Sequence, residues 1–122
     1  MTAAMIIALT LYAEAGGESI GSKMAIASVI YNRANGDVTL MAKVCTAPKQ
    51  FSAWNAGTPR MPKAPVKNKS WAECVGIASS MLEGAFKPTT PAKYYHDISI
   101  NPPYWTKGRV LVLTKPRLRF YV

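Results

Sequence analysis

Six carboxylates and a single histidine are the groups in this sequence best suited to acid–base chemistry: Glu14, Glu18, Asp37, Glu73, Glu83, Asp97 and His96. Five of the acids have a structural explanation. Asp37 and Glu73 fall at expected helix starts, where an anion satisfies free N–H groups and the helix dipole, and Glu73 follows Ser70 at the spacing of a capping box. Glu83 lies on the polar side of its helix with Gly76 and Ser80, and Asp97 falls in a polar loop. Glu18 precedes the second expected helix, where the dipole again favours a carboxylate, or it stands as an outer partner to Glu14. Glu14 differs, because its helical neighbours Ile7, Thr10 and Leu11 are mostly apolar. A carboxyl group among them is partly desolvated, which raises its pKa toward the range of a general acid. Two readings of Glu14 stay open on these grounds, a catalytic acid and the wet end of a helix.

Other chemistries find fewer residues. A metal site or a Ser-His-Asp triad would rest on His96 alone, so neither a metal nor another cofactor is expected. Gly16-Gly17 follows a helix and lacks the rest of a phosphate-binding pattern. Cys45 and Cys74 fit no metal spacing and read as small buried hydrophobes or as one disulfide. The aromatic residues Phe51, Trp54, Tyr94, Tyr95, Tyr104 and Trp105 lie in proline-rich stretches beside Gln50, Ser52, Asn55 and Asn101. Aromatic faces interleaved with amides and hydroxyls suit sugar rings, which have apolar C–H faces and polar rims.

The elements that must hold these groups follow from periodicity. Residues 3–15 read as a buried helix stopped by Gly16-Gly17, and a second helix runs from Ser19 or Ser22 to Ala34, stopped by Asn35-Gly36. Asp37 is expected to cap a short third helix, "DVTLMAKVC". Residues 47–69, with "QFSAWN" and four prolines, form a long ordered loop. "SWAECVGIASSMLEGAF" is the clearest helix, with Cys74, Ile77, Ala78, Met81 and Leu82 on one face. A second aromatic loop, "KYYHDISINPPYW", precedes "RVLVLTKPRLRFYV", which reads as a hairpin. The expected fold is α+β, mainly helical, with a small C-terminal β element in one domain over residues 1–122.

The first apolar run has no basic residue ahead of it, the first being Lys23, so it does not read as a secretory signal. It is also too short to span a bilayer. Synthesis in the cytoplasm without an export signal is the expectation. Fifteen Lys and Arg against six Asp and Glu give a formal charge of +9, which points to an extended anionic partner such as nucleic acid, a lipid surface or an acidic cell envelope. The basic residues gather at 43–69 and 107–119 and not on one recognition helix, which disfavours nucleic acid. A monomer is expected.

"YAEAGGES", then "MAIASVIYNR", "CTAPKQFSAWN" and "AKYYHDISINPPYW", and a terminal "FYV", taken in this order, resemble the cell-wall hydrolase family of spore-cortex-lytic (SleB-like) enzymes. The resemblance runs from Leu9 to Tyr121; the insert at residues 60–69 and the "PRLRFYV" ending depart from the pattern. It implies a lysozyme-like or lytic-transglycosylase-like fold, peptidoglycan glycan strands as substrate, and Glu14 as the catalytic acid. A retaining or inverting glycosidase normally needs two carboxylates, and only one convincing acid is present here. The resemblance therefore implies a lytic transglycosylase that leaves 1,6-anhydro-muramic ends. Gln50, Phe51, Ser52, Trp54, Asn55, Tyr94, Tyr95 and Trp105 would hold the substrate, with Glu18 and His96 behind them. A small phage endolysin is the expected setting. A two-carboxylate lysozyme-type hydrolase using Glu18, and a non-catalytic basic module binding the wall or nucleic acid, are the alternatives.

Overall fold

A computed structural model of the chain describes residues 1–48, 50–54 and 68–122. Four α-helices come first: α1 (Ala3–Ala15), α2 (Ile20–Arg33), α3 (Met41–Thr46) and α4 (Lys69–Leu82). Three strands follow, β1 (Tyr94–Asp97), β2 (Leu111–Lys115) and β3 (Leu118–Tyr121), with short 3-10 turns at Ser52–Trp54 and Tyr104–Thr106. The molecule is thus α+β and mainly helical, as its patterning predicts. No helix among the described residues is long and apolar enough to cross a membrane.

α1 is the central helix and packs against α2, α3 and α4. It is apolar nearly all round, as expected of a helix buried on several sides, and Ile7, Leu11 and Ala15 are fully enclosed. Thr2 caps it by accepting from Met5 N–H. α2 contributes Ala25, Ile26, Val29 and Ile30 to the core, and α4 contributes Cys74, Ile77, Ala78 and Met81. Cys45 and Cys74 are free and buried. Desolvation pushes both thiols up to about 11, so they behave as core hydrophobes and not as nucleophiles.

Two expected helix starts are corrected. Asp37 does not cap α3: its carboxylate accepts from the backbone and hydroxyl of Thr39, closing a turn at residues 37–40, and the helix begins only at Met41. The start of α4 is capped by Asn68, which accepts from Trp71 N–H, two residues before the expected box. Ser70 and Glu73 instead face long-range partners. The Ser70 hydroxyl donates to the Gly16 carbonyl at 2.6 Å, and Glu73 pairs with Lys23 at 3.1 Å.

The C-terminal β element is larger than a hairpin. "YYHD", expected in a loop, forms edge strand β1, antiparallel to the central strand β3, whose other edge carries β2. Asp97 therefore ends a strand. Leu118 and Phe120 point inward from β3 and join the helical core. The sheet is fastened to α2: Asn32 donates to the carbonyls of Thr90 and Ala92, both at 2.8 Å, and Arg33 Nε donates to that of Lys93 at 2.6 Å. These bonds fix the chain just before Tyr94 and Tyr95, so the last turn of α2 sets where β1 begins.

Candidate active site

Glu14 sits in the last turn of α1 on the side shared with Ile7, Thr10 and Leu11, all fully buried. Its carboxylate is half-buried, and the Tyr95 hydroxyl donates to it across the interface of α1 and β1. Desolvation raises the Glu14 pKa above its ordinary value of 4.5, and the Tyr95 bond offsets part of that rise by favouring the charged form. Burial and the negative charge of Glu14 push the Tyr95 phenol well above 10.0, so it remains a donor. The Tyr95 ring is stacked on Phe120 at 5.6 Å and packs against Phe51 at 6.5 Å.

The turn that follows Glu14 is held from two sides. Ser70 of α4 bonds the Gly16 carbonyl, and Lys23 of α2 bonds the Glu18 carbonyl at 2.7 Å. Lys23 is 1% exposed, an unusual place for an ammonium, and Glu73 answers its charge. Gly16 must lack a side chain, since a Cβ there would meet the Tyr12 carbonyl at 2.5 Å and its ring at 3.2 Å.

Two adjoining cavities of about 380 and 360 Å³ form one cleft, since both are lined by Arg33, Gln50, Tyr95 and Trp105. The first is also lined by Glu14, His96 and Asp97, the second by Tyr94. The cleft thus brings together Glu14, Gln50, Tyr94, Tyr95, His96 and Trp105 of the residues predicted from sequence. Phe51 is fully buried beneath Tyr95. Trp54 donates its indole N–H to Thr10 at 2.7 Å, which ties the 3-10 turn to α1. Neither ring lines the cleft, and neither does Glu18, whose backbone carbonyl is taken by Lys23. Ser52 opens the 3-10 turn, and Asn55 lies outside the described residues.

His96 is buried between Trp105 and Tyr121, with Nε2 at 2.9 Å from the Tyr121 hydroxyl and Nδ1 at 3.0 Å from the Asp97 carbonyl. Both ring nitrogens are engaged within the protein, so the imidazole orders the aromatic wall.

Two residues of the cleft are not evident from sequence patterning. Arg33 donates Nη1 to Gln50 Oε1 at 2.6 Å and Nε to Lys93, and lies near the rings of Phe51 and Tyr94. Burial lowers its pKa from the ordinary guanidinium value, partly offset by Tyr95 and Tyr94, and the group stays charged. As the last residue of α2, "YNR", it looks in sequence like an ordinary cation at a helix C-terminus. Asp97 is the second. Its carboxylate accepts from Ser99 N–H at 2.8 Å and from Arg117 at 3.3 Å, contacts that hold it below its ordinary value of 3.8.

A carboxyl group biased toward its protonated form, facing a cleft walled by aromatic rings, amides and a guanidinium, is able to protonate an ether oxygen in a polar ring substrate. The comparison with protein families gives the class: the chain belongs to the Cell Wall Hydrolase family, whose model matches residues 17–121. The protein is an enzyme that acts on peptidoglycan. The matched segment begins three residues after Glu14, so the assignment to this family is independent of that residue. Neither the curated proteins nor the solved structures compared with the chain gave a match.

Proposed function

We propose that the protein is a lytic transglycosylase that cleaves the β-1,4 bond between N-acetylmuramic acid and N-acetylglucosamine with Glu14 as its single acid and base. The observation that carries this reading is the environment of Glu14: a half-buried carboxyl with a raised pKa, bonded by Tyr95 and facing the cleft. In the first half of the reaction Glu14 gives its proton to the glycosidic oxygen as the bond from the anomeric carbon breaks. The Glu14 carboxylate then takes the proton of the muramic 6-hydroxyl, whose oxygen bonds the same carbon. No water is consumed, and Glu14 ends protonated, as it began. Tyr95 donates to the carboxylate in the interval between the two transfers and so stabilises its charged form. The aromatic wall of Tyr94 and Trp105 and the amide of Gln50 are the groups proposed to seat the sugars.

One observation favours a second reading. Asp97 lines the same cavity as Glu14 and is held ionised while Glu14 is held toward its acid form, the divergence that marks an acid and base pair. A hydrolase would then use Asp97, and not Glu18, to activate water.

Mass spectrometry of fragments from purified peptidoglycan tests both readings. A transglycosylase yields ends one water lighter than hydrolysed fragments, Asp97→Asn leaves that product unchanged, and Glu14→Gln abolishes it. Glu14→Gln retaining a tenth of the activity, only ~1.4 kcal/mol of barrier, would exclude Glu14 as the acid. Reducing muramic ends together with an inactive Asp97→Asn would replace the transglycosylase with the hydrolase.

A further inference from the structure

Arg33 is a half-buried cation without a carboxylate. Among the described residues the ion pairs join Lys23 to Glu73 and Arg117 to Asp97, while Arg33 donates only to the neutral oxygens of Lys93 and Gln50. A guanidinium carries five N–H donors in a planar fork, so most of its donors are unused by these two bonds. A second cation packs on the same ring from outside the two cavities: Arg109 is 3.7 Å from the centre of the Tyr94 ring, and Arg33 is 5.5 Å from it. Two guanidinium groups therefore share one aromatic residue at the cleft, with no acid among the described residues paired to either. Desolvating a charge is costly unless an opposite charge answers it, and burial indeed makes the charged form of Arg33 less favourable than in water. Arg33 lines both cavities, so an anion lying in the cleft can reach it.

We infer that Arg33, supported by the charge of Arg109 on the Tyr94 ring, is a carboxylate-binding site in the cleft, and that its ligand is an acidic group carried by the muramic residue of the glycan. This rests on the cleft being the glycan site proposed above. The sugar rings and their N-acetyl groups are neutral, and a planar fork matches a carboxylate with two parallel bonds. Such a carboxylate has two sources: the free lactyl group of a muramic residue without a peptide stem, or an acidic residue of the stem.

Calorimetry on the full-length Glu14→Gln protein, which binds without turnover, separates these. The ligands are soluble glycan strands with and without peptide stems, each in native form and with carboxylates converted to primary amides. Native strands are expected to bind about tenfold more tightly than amidated ones, the loss of one charge-assisted contact. A preference for the native form in stem-free strands assigns the lactyl group; a preference confined to stem-bearing strands assigns the stem. Arg33→Lys keeps the charge and loses both the fork and part of the hold on Gln50 and Lys93, so it is expected to weaken native strands by more than amidated ones. Arg109→Gln, which leaves the anchoring of Lys93 and Gln50 intact, is expected to act the same way. Equal binding of native and amidated strands overturns the inference alone, as do Arg33 and Arg109 substitutions that weaken both forms equally, which is the mark of a purely structural role. Failure of every strand to bind overturns the glycan cleft and the inference together.

Discussion

Glu14 is subject to two opposed effects, and their order fixes the sign of its pH behaviour. Burial, which raises the pKa, outweighs the Tyr95 hydrogen bond, which lowers it. The folded acid therefore keeps its proton to higher pH than the unfolded chain does. Its contribution to stability is fully present below the unfolded value of 4.5 and is lost as pH rises through the folded value. Glu14→Gln, neutral at every pH and still able to accept from Tyr95, should melt with the wild type below that point and at a higher temperature above the folded value. Thermal melts across the range check this; a Glu14→Gln protein less stable than wild type at neutral pH would contradict it. Tyr95→Phe removes the hydrogen bond that lowers the Glu14 pKa. The alkaline limb of its pH–rate profile is therefore expected at higher pH than in wild type, and an unmoved limb would mean that Tyr95 does not tune the acid.

At the scale of elements, the turn between α1 and α2 is positioned by α4. Lys23 and Glu73 form a pair in which the ammonium is buried and the carboxylate side chain is 22% exposed. Removing one partner of such a pair strands the other. Glu73→Ala leaves Lys23 uncompensated and should cost ~3 kcal/mol in denaturant unfolding. The double replacement Lys23→Met with Glu73→Leu should recover much of that loss, while activity stays reduced because the Glu18 carbonyl has lost its donor. Full additivity of the two changes would show that the residues do not form a unit. The same place shows what the sequence could reveal. The run of α1 was legible from its unbroken apolar length and the glycines that stop it, the stripe of α4 because burial there repeats with the helix period, and Glu14 stood out as the one acid among apolar helical neighbours. Ser70 and Glu73 had the types and spacing of a cap, yet their partners Gly16 and Lys23 lie 54 and 50 residues away, beyond any local pattern. Asn68, an equally good capping type, took the role instead. β1 was missed because four residues between prolines give too short an alternation to tell a strand from a loop. Arg33 was missed because a cation ending a helix has an ordinary local explanation; only the packing of Gln50, Tyr94 and Lys93 around it marks it as part of the cleft.

For the whole molecule, a formal charge of +9 would draw it toward an anionic wall. Exposed charges act only within a Debye length of about 10 Å at 0.1 M ionic strength and about 3 Å at 1 M. Lysis of whole cells or wall suspensions is expected to weaken steeply as salt rises, whereas cleavage of short soluble strands should weaken less, since capture at a distance matters little for a small ligand. Identical salt dependence for both substrates would assign the basic surface another task. The bond from Tyr95 to Glu14 has a different consequence, in the order of folding. It joins residues 81 apart in the chain, and the strand that carries Tyr95 is anchored through bonds from the last turn of α2 to the carbonyls of Thr90, Ala92 and Lys93. The three helices that bury α1 can assemble earlier from nearer contacts, since closing a long loop costs entropy that short ones do not. In a chain folded only that far, Glu14 lies at the open end of a helix, hydrated and without its phenol. A chain folded only that far would carry an ordinary surface glutamate in place of this acid, because the raised pKa and the Tyr95 bond both need the distant strand in place.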